Sequence, residues 1–101
     1  LGSEIYGTVE NSVLSSNVII EEGAHVKDSV IMSGTVIKKG AEVNYSIIDE
    51  DVVVDEGAQI GEDKATAKGI AVLGRKINVG KNAKVAAGSI VDKNIEEGEE
   101  A

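Results

Sequence analysis

Three consecutive blocks of seventeen residues align without a gap in this chain: NSVLSSNVIIEEGAHVK (11–27), DSVIMSGTVIKKGAEVN (28–44) and YSIIDEDVVVDEGAQIG (45–61). A fourth block, IAVLGRKINVGKNAKVA (70–86), follows an eight-residue interruption, EDKATAKG (62–69). Self-similarity at one period confines a chain to a solenoid, because each repeat can bury its apolar side chains only against its neighbours. The large aliphatics fall at block positions four (Leu14, Ile31, Ile48, Leu73), ten (Ile20, Ile37, Val54, Val79) and sixteen (Val26, Val43, Ile60, Val85). Each is preceded two residues earlier by a smaller side chain: Ser or Ala at position two, mostly Val or Thr at eight, Ala at fourteen. Residues two apart share one face of a strand. Each six-residue unit therefore points one small and one large group inward and then turns, and three units close a triangular coil. Coils stack at about 4.8 Å, the spacing of hydrogen-bonded strands. The three-and-four spacing of a buried helix face is missing. The expected fold is all-β, a single-stranded parallel β-helix of hexapeptide type.

Composition agrees where it bears on this fold. The chain has two Tyr, no Phe and no Trp, so its core must come from stacked Val, Ile and Ala. It has no Cys, hence no disulfide framework or thiolate metal site, which fits a cytoplasmic location. No apolar run reaches the roughly 18 residues of a membrane span. A net charge of −8 disfavours a nucleic-acid partner. Gly23, Gly40 and Gly57 recur at position thirteen, with Asn82 as the fourth equivalent. They read as corners needing positive φ, the alternative being relief of crowding. Residues 1–10 match only the second half of a coil, so the chain is expected to be a piece of a longer protein that continues upstream of Leu1. Residues 87–101 read as a terminal turn and a frayed acidic tail.

The chemistry-bearing residues are few. His25, the only histidine, occupies position fifteen, whose equivalents Thr8, Glu42, Gln59 and Lys84 are all polar. It is expected to face outward as a solvated residue, with no recurring carboxylate to orient it. Asp49, Glu50, Asp51, Asp55 and Glu56 lack the spacing of a calcium loop. Gly74 to Lys81 has one residue too many for a phosphate loop. No catalytic, cofactor-binding or metal-binding residue is therefore expected. Two features exceed plain structure. Outward positions three (Val13, Val30, Ile47) and nine (Ile19, Val36, Val53) carry β-branched ladders, read as a domain or subunit interface, the alternative being that corners rotate them into the core. The 62–69 insertion carries Lys68 and is followed by Arg75 and Lys76, three cations read as a site for an anionic effector, the alternative being a solvated loop.

The run from Tyr6 to Val54, with its phrases YGTVENSVL, DSVIM and SIIDEDVVV, resembles the C-terminal β-helix of bacterial glucose-1-phosphate adenylyltransferase (ADP-glucose pyrophosphorylase). The resemblance covers residues 5–92. It implies a left-handed coil, a hand that periodicity alone does not give. It also implies a regulatory and assembly domain without a catalytic site of its own. The parent would join ATP and glucose 1-phosphate for glycogen biosynthesis, using magnesium in an upstream catalytic domain, and would form a homo- or heterotetramer. Alternatives are a non-catalytic sister subunit, a mannose-1-phosphate guanylyltransferase, a purely structural solenoid, or a trimeric hexapeptide acyltransferase. The last would require a cleft-facing histidine and a coenzyme A groove between subunits.

Overall fold

The computed structural model describes residues 2–101, so Leu1 lies outside the described residues. The chain winds as a left-handed parallel β-helix whose strands are only two or three residues long. The first coil is β1 (Glu4–Ile5), β2 (Thr8–Glu10) and β3 (Val13–Leu14). The second is β4 (Ile19–Ile20), β5 (His25–Lys27) and β6 (Val30–Ile31), and the third β7 (Val36–Ile37), β8 (Glu42–Asn44) and β9 (Ser46–Ile48). The fourth is β10 (Val53–Val54), β11 (Gln59–Ile60) and β12 (Ala71–Leu73), and the fifth β13 (Asn78–Val79), β14 (Lys84–Val85) and β15 (Ile90–Val91). Each coil contributes one strand to each of three five-stranded parallel sheets, β1-β4-β7-β10-β13, β2-β5-β8-β11-β14 and β3-β6-β9-β12-β15. We call these the first, second and third faces of the prism.

The pairing follows the seventeen-residue spacing, as in Val26↔Val43 and Ile31↔Ile48. The inward column is the one the repeat predicts. Ile20, Ile31, Ile37, Ile48, Ile60 and Leu73 are fully buried, and Ala24, Ala41, Ala58 and Ala83 fill the narrow position beside them. The small inward polar residues are satisfied along the axis. Ser29 Oγ donates to the Lys27 carbonyl at 2.8 Å and accepts the Ser46 N–H at 3.1 Å. Thr35 Oγ1 donates to the Asp49 carbonyl at 2.8 Å and accepts the Val52 N–H at 3.2 Å. Among the described residues no buried side-chain polar atom lacks a partner, as a stable interior demands.

The corner reading of position thirteen holds. Gly23, Gly40 and Gly57 have φ of 80°, 73° and 71°, and Asn82 has 58°. A Cβ on Gly40 would find its nearest heavy atom at 4.0 Å, so conformation rather than crowding selects glycine there. Gly40→Ala should therefore cost about 1–2 kcal/mol, the penalty of a left-handed L-residue, and Gly40→Asn less. Denaturant midpoints of the two variants check this order. The other two corners have the same solution at positions one (Asn11, Asp28, Tyr45) and seven (Asn17, Gly34, Asp51, Lys76), all with positive φ. The acidic tail, expected to fray, instead starts another coil. Ile95 is 6% exposed and bridges Val79, while Glu100 bridges Lys84. Among the described residues no helix is long and apolar enough to cross a membrane.

Candidate functional site

The second face carries the polar side chains that stand together. Along a strand the outward residues are two apart, and along the axis the parallel register stacks them. Thr8, His25 and Glu42 form one column, since Thr8 pairs with His25 and His25 with Glu42. Glu10, Lys27 and Asn44 form the second, by the same ladders. The result is a grid of six polar groups with about 4.8 Å between rows and roughly 6.5 Å between columns.

The grid becomes a cleft because the insertion folds back over it. Residues 62–69 leave β11 in the fourth coil, yet Lys27 Nζ in the second coil donates to Asp63 Oδ2 at 3.4 Å. Asp63 also shapes its own loop: its Oδ1 accepts the Ala65 N–H at 2.9 Å, and its carbonyl accepts the Thr66 and Ala67 N–H groups at 3.0 and 2.9 Å. Thr66 Oγ1 donates to Glu62 Oε2 at 3.1 Å. The open depression, about 270 Å³, is lined by Thr8, Glu10, His25, Val26, Lys27, Glu42, Asn44 and Asp63. Three carboxylates against one ammonium make it electronegative.

The Ala65 N–H, and then the Lys27 ammonium, hold the Asp63 carboxyl below its ordinary value. A carboxyl depressed in the folded state contributes above its unfolded pKa, and the contribution is lost as pH falls through the folded one. The charge attraction between Asp63 and Lys27 is therefore lost only in acid. No metal-holding cluster of His, Asp or Glu occurs among the described residues.

The residues singled out from sequence are placed as follows. His25 faces outward and is exposed, as position fifteen predicts, and its side chain lines the open cleft. Glu42, directly above it, is the carboxylate neighbour the repeat reading passed over. Lys68 lies in the insertion, whereas Arg75 and Lys76 lie at the next corner, beyond β12. All three are exposed, and the structure puts them at opposite ends of that strand. Ile19, Val36 and Val53 stack in register on the first face, where the ladder continues to Asn78. Val13, Val30 and Ile47 stack on the third face, where it continues through Val72 to Ile90. Neither row belongs to the buried column: Ile19, Val36, Val53, Val30 and Ile47 are half-buried, and only the ends of the third-face row, Val13 and Ile90, are largely exposed.

The sequence matches the family model described as GlmU-like, C-terminal hexapeptide, over residues 2–70. No curated protein matches it. Among solved structures it is similar to the acetyltransferase domain of PglB from Neisseria gonorrhoeae FA1090 in complex with acetyl coenzyme A. That match has 18% identity and a TM-score of 0.56, and covers 99% of this chain and 54% of that one. The same domain without the ligand gives 19% identity and a TM-score of 0.56, covering 97% and 53%. The chain thus spans about half the length of the solved structures it matches, and at this identity the likeness is one of fold.

These findings correct the reading drawn from the glucose-1-phosphate adenylyltransferase resemblance. The family model matched is a GlmU-like hexapeptide domain and the solved structures matched are of an acetyltransferase domain, and neither is a nucleotidyltransferase appendage of glycogen biosynthesis. The expectations of a fragment without a catalytic site and of ATP and magnesium as the parent's cofactors fall with it. The quoted phrases misled for a physical reason. Ser12, Ser29, Ile31, Ile48, Val52 and Val54 point inward, and Asn11, Asp28 and Asp51 are positive-φ corners. Much of each phrase is therefore what a hexapeptide coil needs whatever reaction it serves.

Proposed function

Because the chain belongs to the GlmU-like C-terminal hexapeptide family, we propose that it is the β-helix part of an acyltransferase that moves an acyl group from a coenzyme A thioester to a nucleophile held in the His25 cleft. The carrying observation is that the sole histidine of the sequence lines a cleft to which the interruption of the repeat contributes Asp63. Imidazole is the side chain suited to exchange protons near neutral pH. His25 accepts the proton of the attacking amine or hydroxyl as the new bond to the acyl carbon forms. It returns that proton to the sulfur as the carbon–sulfur bond breaks, so the histidine is regenerated. Glu42, one strand above, offers a carboxylate to the imidazolium formed between these steps. Thr8 and Asn44 supply neutral hydrogen-bonding groups for orienting the acceptor.

Coenzyme A, when bound, supplies the activated acyl group. The cleft residues suit the uncharged thioester end of such a molecule. Glu10, Glu42 and Asp63 would repel its phosphates, which must lie outside the cleft. The β-branched ladders of the first and third faces are the surfaces on which a second subunit would pack to complete that outer part. The test is release of free thiol from acetyl coenzyme A in the presence of a panel of amino-sugar and hydroxyl acceptors. Acceptor-dependent release is expected. No release with any acceptor, together with no rise in melting temperature on adding acetyl coenzyme A, would sink the reading.

A further inference from the structure

The insertion could have projected away from the prism. Instead a single ion pair joins residues thirty-six apart and brings Asp63 of the loop to Lys27, on the strand that carries the histidine. Asp63 sits at the junction. One of its carboxylate oxygens holds the turn at Ala65, and the other meets Lys27, which shares β5 with His25. Lys27 and Asp63 are both partly open to solvent, with side chains 45% and 56% exposed, so the fastening is weak enough to be broken without touching the fold. The loop adds nothing to the inward column, for Ala71 resumes pairing opposite Ser46 as though the eight residues were not there.

Resting on the acyltransferase reading, we infer that Asp63 is a positioning residue: its pairing with Lys27 fastens the 62–69 insertion as the wall of the His25 cleft and so sets how well an acceptor is held there. Asp63→Asn keeps an oxygen for the Ala65 N–H but gives up the charge that holds Lys27. In this variant amide exchange of residues 62–69 should quicken by about 1.4- to fivefold, the range an exposed ion pair supplies. The acceptor KM should rise by a similar factor, with kcat and the melting temperature unchanged. Lys27→Met, which removes the same ion pair from its other side and leaves the Ala65 turn intact, should reproduce both changes, and combining it with Asp63→Asn should add nothing further. Unchanged exchange in Asp63→Asn overturns the fastening. Faster exchange with an unchanged acceptor KM, or a fall confined to kcat, overturns the role in holding the acceptor. The exchange measurement needs no turnover. A wild-type protein that releases no thiol therefore overturns the acyltransferase reading, and the acceptor role with it, while loop exchange still decides whether the ion pair fastens the wall.

Discussion

Replacing Ile37 by Asp should leave no cooperatively folded protein at room temperature. Ile37 is fully buried in the third coil, stacked between Ile20 below and Val54 above. An ionised carboxylate there has no partner, and an uncompensated buried charge costs about 3–5 kcal/mol. Loss of the buried isoleucine removes about 2–3 kcal/mol more. Together these rival the roughly 5–15 kcal/mol that holds a typical domain. A solenoid has no alternative core, because each coil touches only the coils above and below it. Breaking the middle of the column uncouples the two ends. Ile37→Val, by contrast, should cost about 1 kcal/mol. Circular dichroism melts distinguish the cases, and an Asp variant that unfolds cooperatively within about 2 kcal/mol of the parent would show that the column is not what holds the coils together.

His25→Ala should reduce acyl transfer by about 10²–10⁴-fold, the usual contribution of a positioned general base. Stability should change by no more than about 0.5 kcal/mol, since the side chain is exposed and contributes nothing to the column. Steady-state thiol release alongside a denaturant titration separates the two effects. Turnover at the parental rate would mean that another group removes the proton. The contrast with Ile37 follows from the architecture, in which inward residues hold the coil and outward residues are free to carry chemistry.

The coil was readable because its interior repeats one small and one large side chain three times per turn, and Ala24, Ala41, Ala58 and Ala83 mark its tightest line. The first and seventh positions were harder to recognise as corners. Asn11, Asp28, Asn17, Gly34 and Asp51 are residues that tolerate positive φ, but Tyr45 and Lys76 take it too, and nothing in those side chains announces it. For the site, alternation correctly turned His25 outward but could not say what faced it. One neighbour was in fact legible: Glu42 lies seventeen residues on, which in this repeat means directly above. The other was not. Whether an eight-residue insertion swings toward the second face or away from it is decided by contacts such as Lys27 with Asp63, to which the period is blind.

The unbroken pairing of Ala71 with Ser46 across that insertion has an evolutionary consequence. A vertex that swallows extra chain without moving its neighbours lets the wall of the cleft be lengthened, shortened or rewritten while the hydrocarbon column stays untouched. Descendants of one such prism can thus diverge in what they accept without renegotiating how they fold.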